Sequence, residues 1–583
     1  MKPAPTIKPL TAIQLPPTVQ GVLAARIDRL PAEVKVLLQT LAVIGKAFSC
    51  SLLTQVVEQS QEELQRLLAH LQGAEFIYER PAFPEPEYSF KHALTQEVAY
   101  TSLLLERRRR LHERTAQAIE ALWGQRLEER YSELAHHYSR SGNTAKALEY
   151  LQRAARQAVQ RSANVEALSH LTRGLEMLRT LPDGLERAQH ELSLQIALGV
   201  PLIATSGYAA PEVETAYARA RELCGQVGDT PQLYRVLVGL WVFYFVRGAF
   251  PTARELGEQL LRLAQGSAEP ARLQVAHNAL GTTCFYLGEL RAARAHLEEG
   301  SAVHAPPRSR SVAFRRWQDP GVSCLCVAAW TLWALGYPDQ ALGRTQEALR
   351  LANALAHPFS QAFALFFAAV LHQLRREGPA VHAHATALSA LAEEQGFALW
   401  AAAGTILQGW WRAAQGERVE GRAQLHQGLA DWRGTGAEGL RPYFLSLLAE
   451  TYGATEVGEE ACALLAEALT VAAEHGERWW EAELYRLQGE LLLRRREGER
   501  GRGGETAEEC FQQALEVARR QQAKSLELRA ALSLSRQWRG QGKNVGEVRN
   551  LPLLAEVYGW FTEGLETADL HEARGLLEAS GST

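Results

Sequence analysis

Nucleotide chemistry is the first to look for. A phosphate-binding loop, Gly-x4-Gly-Lys-Ser/Thr, wraps phosphates in backbone N–H groups and meets the terminal charge with lysine. Two glycine–lysine pairs approach that pattern. Gly45-Lys46 has Thr40 in place of the first glycine and Ala47 in place of the hydroxyl residue. Gly542-Lys543 is followed by Asn544 and has Arg539 where a strand should lead in. Neither reads as a nucleotide loop. Cys324-x-Cys326 has the spacing of half a zinc site, but no second pair completes four ligands, so both read as small core residues. His136-His137 and His382-x-His384 lack a carboxylate or cysteine at ligand spacing and read as surface or packing residues. No Gly-x-Ser-x-Gly elbow and no His-Glu-x-x-His motif occurs. The chain therefore reads as having no catalytic residue, no cofactor and no metal.

Two cationic runs, Arg107 to Arg110 and Arg494 to Arg496, offer phosphate contacts. A helix turns about 100° per residue, so each run wraps around its helix, and nearby Glu106, Glu113, Glu497 and Glu499 balance it. The whole chain carries 62 basic and 66 acidic residues, a formal charge of −4, which gives no global field for nucleic acid. Arginine supplies 54 of the 62 cations, a bias we assign to genome composition. Seven cysteines spread over 583 residues are too sparse for a secreted disulfide framework. The start, MKPAPTIKPLTAIQLPP, has no apolar core of a secretory signal, so the expected location is cytoplasmic. The uncharged stretch from Gly321 to Pro338 is 18 residues long, at the lower limit for a membrane span. It lacks aromatic belts at both edges, and we read it as a helix buried on several sides, with no membrane partner.

The elements that must position any site follow from periodicity. Five prolines in residues 1–20 predict a linker, after which Val19, Val22, Leu23, Ile27 and Leu30 share a helical face. Helices are expected over 32–43, 49–58 and 61–72. Ser49 is placed to cap the second, and Ser60 with Glu63 has the capping-box spacing for the third. Two β-rich pieces, 76–78 and 88–90, flank PAFPEPE, and a longer helix is expected over 93–122. Three helices followed by a hairpin is the winged-helix order. The candidate recognition helix, 62–73, offers only Gln65, Arg66, His70 and Gln72, a poor set for reading bases. No nucleic-acid partner is expected.

Beyond Arg130 small residues recur in pairs seven apart: Ala147/Ala154, Ala293/Gly300, Ala341/Ala348, Ala380/Ala387, Gly421/Gly428, Ala461/Ala468 and Ala507/Ala514, with Ala253/Leu260 joining them. From Ala253 onward the successive spacings are 40, 48, 39, 41, 40 and 46 residues. Gly142, Gly248, Gly288, Gly336 and Gly416 each stand five residues before the first member, where a positive φ can end one helix before the next. Antiparallel helices approach closely only where facing side chains are small, and each hairpin leaves an apolar face for the next to cover. This is the tetratricopeptide pattern. Eight units are clear and ten are expected in all, with 167–178 and 211–224 as further second helices and 498–505 as a loop insert. The fold class expected is all-α: a superhelical helix-hairpin solenoid behind a small winged-helix domain. The divisions are 1–30 (linker and the end of a lid-like helix), 31–115 (winged helix), 116–550 (repeats) and 551–583 (capping helices).

The runs LPPTVQGVLAARIDRLPAEVKVLLQTLAVIGKAFS (15–49) and FKHALTQEVAYTSLL (90–104) resemble the segment after the ATPase domain of bacterial STAND-type signalling ATPases. LAHHYSRSGNTAKALEYLQRA (134–154), WWEAELYRLQGELLLRRR (479–496), AEECFQQALEVAR (507–519) and YGWFTEGLETADLHEARGLLE (558–578) resemble the repeat tail and terminus of that family. Its members are often fused to a class III adenylate or guanylate cyclase domain. The resemblance implies a regulatory, protein-binding tail, with the winged helix packed against a nucleotide-binding ATPase module. It also implies that a winged-helix histidine touches nucleotide, which puts His92 forward as a contact acting in trans. The departure is that this chain contains neither the ATPase nor the cyclase domain. The expected function is a non-catalytic sensor and scaffold that holds a protein or peptide in the solenoid groove. The alternative is a fragment or split subunit regulating such an enzyme in trans. Groove anchors are expected among aromatics of the first helices: Trp241, Tyr244, Phe285, Trp330, Trp410 and Trp479, with Trp333, Trp411 and Trp480 beside them. About two in three of these are expected to be core.

Overall fold

The computed structural model describes residues 17–57, 59–81, 85–161, 163–207, 210–228, 230–303, 318–452, 459–496, 506–540 and 551–579. The chain divides into two compact units, 1–201 and 202–583.

In the first unit, helices α1 (Pro17–Asp28) and α2 (Ala32–Ile44) lead to strand β1 (Ala47–Ser49). Helices α3 (Cys50–Val56) and α4 (Gln61–Gly73) precede strands β2 (Ile77–Arg80) and β3 (Glu87–Phe90). Then come α5 (Ala93–Thr101), α6 (Leu105–Leu122), α7 (Tyr131–Ser141), α8 (Thr144–Gln160), α9 (Asn164–Leu178) and α10 (Leu185–Ser206), inside which the unit boundary falls. Ser49 accepts a bond from Leu52 N–H and Ser60 from Glu63 N–H, as their spacing predicts. The Glu63 carboxylate does not close the capping box but pairs with Arg66 at 2.8 Å. The sheet is antiparallel with order β1-β3-β2, so an unexpected short strand at 47–49, ending at the Ser49 expected to start a helix, completes it. Phe48, Tyr88 and Phe90 bury their rings in the core, and Ser89 between the last two is buried as well. The helix expected over 93–122 is broken at 102–104. Ser102 turns its hydroxyl to Ala99 O (2.7 Å) and receives Gln39 Nε2 (2.9 Å), a local alternative to the helical ladder. On α1, Ile27 is buried, but Val19 and Val22, expected on the same apolar face, are exposed.

The second unit is a stack of antiparallel hairpins. After α11 (Pro211–Val227) they run α12 (Thr230–Val246) with α13 (Phe250–Gln265), α14 (Pro270–Tyr286) with α15 (Leu290–Ala302), and α16 (Pro320–Ala334) with α17 (Pro338–Leu355). Next are α18 (Pro358–Leu374) with α19 (Gly378–Gln395), α20 (Ala398–Ala414) with α21 (Arg418–Gly434), and α22 (Arg441–Glu450) with α23 (Glu459–His475). The last are α24 (Glu481–Arg496) with α25 (Ala507–Gln521), then α26 (Lys524–Gly540), α27 (Leu551–Gly559) and α28 (Ala568–Glu578). Prolines at the first position of α11, α14, α16, α17 and α18 start helices where a missing N–H costs nothing. This is a tetratricopeptide-like all-α fold.

All five predicted turn glycines have positive φ, from 74° to 99°. The repeat register needs one correction. In α19 the buried residues seven apart are Val381 and Leu388, whereas Ala387 is exposed, so the pair Ala380/Ala387 is one residue out. Arg376, five residues before Val381, takes the left-handed φ of 62° that glycine takes elsewhere. With that shift Ala341, Val381, Gly421 and Ala461 stand 40 residues apart each time. The insert at 498–505 lies outside the described residues.

Early and late hairpins of this unit face each other. Glu438 N donates to Val246 O (3.0 Å), Arg478 N to Tyr286 O (2.7 Å), and Ser525 Oγ to Trp333 O (2.5 Å). Each donor lies 192 residues after its acceptor. First helices of the two walls therefore meet across the centre of the unit. Trp330 lies 4.1 Å from Phe367 and 5.6 Å from Trp479, ring centre to ring centre, and Trp479 lies 5.1 Å from Phe285. Every residue of α16 from Gly321 to Ala334 is buried. The apolar stretch is thus a helix covered on all sides, and no described helix is long and apolar enough to cross a membrane.

Candidate functional site

The expected groove is filled. Trp241, Phe285, Trp330 and Trp479 are buried, as are Trp333 and Trp480, because the opposite wall of hairpins covers the faces that an open solenoid would present. These residues are core anchors and not a partner surface. The Trp330 indole donates to Phe367 O (2.9 Å), Trp241 to Thr283 Oγ1 (3.0 Å) and Trp480 to Ser446 Oγ (3.0 Å), so each polar edge is satisfied inside. Tyr244, Trp410 and Trp411 are half-buried. Tyr244 donates to Glu214 (2.7 Å), and Trp411 stacks on His382.

The same packing buries charge. Arg486 grips Glu483 through two nitrogens (2.8 and 2.9 Å), while Arg529 reaches Glu483 (3.2 Å) and Asp569 (2.8 Å) and lies over the Trp333 ring. Burial opposes ionisation of Glu483, but Arg486 and Arg529 outweigh it and hold the carboxyl at about 2. Glu477 has no such cation among the described residues. Burial pushes it up to about 8, against the bonds it accepts from the Trp479 indole (3.0 Å) and Leu440 N–H (3.1 Å).

Gly45-Lys46 leads into β1 and forms no phosphate loop, while Gly542-Lys543 lies outside the described residues. Cys324 and Cys326 are buried in α16, and burial raises both thiols. His92 is exposed at the start of α5. His137 is buried against His112, their Nδ1 atoms 2.9 Å apart, with Tyr100 hydroxyl 3.0 Å from His112 Nε2. Burial drives His112, His137 and His136 down to about 2, 3 and 4, so this cluster is a neutral packing element.

What remains accessible is a pair of clefts where α15 and the turn before it face α24, α25 and α26. The first is about 700 Å³ and is lined by Gly288, Glu289, Arg291, Arg478, Glu481, Arg520 and Gln521, among others. The second, about 560 Å³, is lined by Arg294, Glu298, Tyr337, Arg519, Lys524 and Trp560, and it shares Arg291 and Gln522 with the first. At the first cleft Gly288, at φ 76°, leaves no room for a Cβ beside Gln521 (2.8 Å) and Arg478 (3.0 Å). Most of the charges are paired: Arg294 with Glu298 (2.7 Å), Arg519 and Lys524 with Glu527 (2.8 and 2.7 Å), Arg478 with Glu481 (2.8 Å). Arg291, exposed at the junction of the two clefts, has no ion-pair partner among the described residues. Tyr337 and Trp560 are half-buried, their rings 5.3 Å apart, with Arg294 over one and Lys524 over the other. Sequence reasoning missed all of these, because they lie on second helices, turns, the first residues of α24 and α26 and the terminal segment. The only signal was an aromatic at each of two turns.

No protein-family model and no curated protein matches the sequence. Among solved structures, one similar in fold is a Rap protein complexed with competence and sporulation factor. It is 9% identical, covers 64% of this chain and 98% of its own, and has a TM-score of 0.46. Another is a Signal Transduction ATPase with Numerous Domains (STAND) protein with a tetratricopeptide repeat sensor from Pyrococcus horikoshii, at 12% identity, 71% and 65% coverage and a TM-score of 0.33. Yeast Tom70 is 12% identical over 82% of this chain and 95% of its own, with a TM-score of 0.29.

Proposed function

We propose that this chain is a non-catalytic regulatory module that binds a protein segment in the paired clefts, as the sensor and scaffold part of a cytoplasmic bacterial signalling ATPase or cyclase. The observation that carries this reading is the junction of the clefts, where unpaired Arg291 stands beside the half-buried Tyr337–Trp560 pair. Aromatics and arginine supply large contact area and planar bonding, the composition of binding hot spots. An acidic peptide with an aromatic side chain fits that chemistry. In the first unit, helices α2 to α4 with the three-stranded sheet form the proposed winged helix. The exposed Val19 and Val22 of α1 and Leu104 and Leu105 after α5 offer an apolar face for an ATPase module. That face also supports the alternative of a subunit regulating the enzyme in trans, with His92 as its nucleotide contact.

The test is anisotropy with a library of acidic, aromatic-containing peptides. Micromolar binding to a subset is expected, weakened at least about tenfold by Arg291→Glu and unchanged by Arg350→Glu on an exposed part of α17. Binding insensitive to Arg291, or ATP binding by the isolated chain in calorimetry, would overturn the reading.

A further inference from the structure

Hairpin α14/α15 carries a side-chain cluster that the peptide-binding reading does not use. His277 of α14 and His296 of α15 bring their Nδ1 atoms to 3.1 Å, and His277 Nε2 lies 3.2 Å from Glu299 Oε2. His296 and Glu299 are three residues apart, so they share the face of α15 that meets α14. The approach is set by the small residue of this repeat. A Cβ at Gly300 would stand 3.3 Å from His277 Cβ and 2.7 Å from Cys324 Sγ, so glycine lets His277 lie against α15. Gln274 Nε2 fixes the same turn by donating to Gly300 O (3.1 Å).

We infer that His277, His296 and Glu299 form a binding site for one borderline divalent ion of the zinc, cobalt or nickel class. One donor atom from each of the three lies within 4.8 Å of the other two. Zinc–nitrogen bonds of about 2.0–2.1 Å in a tetrahedron place donors about 3.3 Å apart; the Nδ1 contact between His277 and His296 matches that spacing, while Glu299, which meets the opposite nitrogen of His277, would swing toward the shared position. Two imidazoles and a carboxylate suit these metals and leave at least one position open for water or a partner's ligand. Glu299 is exposed and His296 half-buried, so both can rotate onto an ion while His277 stays fixed. Without metal the three groups form a hydrogen-bonded chain in which one Nδ1 donates and the other accepts. The site stands independently of the paired clefts.

The experiment is titration of the chelator-treated full chain with zinc chloride by calorimetry, repeated with cobalt chloride and read as a visible absorption band. One equivalent bound at micromolar or tighter is expected, with a tetrahedral cobalt spectrum. His296→Ala and Glu299→Gln, both at accessible positions, should each weaken binding at least about tenfold while the thermal midpoint without metal changes little. His384→Ala, removing a histidine on a different hairpin, should leave the titration unchanged. Absence of one-equivalent binding, or equal binding by His296→Ala, would reduce the cluster to its hydrogen-bonded chain and overturn the site.

Discussion

In α16 every side chain from Gly321 to Ala334 is buried, whereas in α17 of the same hairpin the buried positions are Pro338, Ala341, Thr345, Ala348 and Ala352. The contrast recurs: α18 buries twelve residues, and α19 buries Gly378, Val381, Ala385, Leu388 and Ala392. Second helices follow the ordinary rule of one apolar stripe against the stack. First helices are enclosed because a second wall of hairpins covers the side that an open solenoid would show to solvent. The aromatics of the first helices are therefore the heaviest part of the core, and the accessible clefts lie among turns, second helices and the starts of α24 and α26.

The sharpest way to break this contrast is Trp330→Ala. Its side chain is fully buried, stacks on Phe367 and Trp479 and bonds to a carbonyl, so truncation should cost about 3–5 kcal/mol in denaturant unfolding. A loss below about 1 kcal/mol would mean the first helices line an open groove after all. A smaller effect comes from Glu477, held between the walls. Its folded value of about 8 exceeds the ordinary 4.5, so the folded chain holds an extra proton between those limits. Stability should fall as pH rises from about 4.5 to 8. Glu477→Gln should flatten that slope and add at least about 1 kcal/mol at pH 8, the worth of a one-unit shift. The smallest expected effect tests the second helices: Ala387→Glu should change stability by less than about 0.5 kcal/mol, as exposed positions do. A large loss there would restore the original register of α19.

Local features were legible and the encounter of distant ones was not. Gly248, Gly288, Gly336 and Gly416 announce their turns because positive φ is a property of the residue itself. Ser49 and Ser60 announce helix starts for a similar local reason. Arg376 hid one turn, since arginine at φ 62° has no signature in composition, and the alanine-rich α19 then offered two equally plausible phases. The clefts and the His277–His296–Glu299 group depend on which helices meet. Arg291 and Arg520 are separated by more than two hundred residues, and no periodicity states that they share a wall. Trp330 sits on a first helix as expected and Trp479 in the turn before α24; which of the nine aromatics would be core could not be sorted, because the covering of those helices by later hairpins is a property of the whole stack.

The constant offset of 192 residues across the second unit has a consequence for how such a chain can change length. The intervals from Tyr286 to Trp333 and from Arg478 to Ser525 are equal, at 47 residues, so longer units sit opposite longer units. A string of repeats in which each touches only its neighbours can gain or lose one by recombination without disturbing the rest. Here excising a single 40-residue unit from the middle would bring every downstream hairpin against the wrong partner, separating Ser525 from Trp333 and Arg478 from Tyr286 at one stroke. Viable changes in repeat number must occur on both walls together.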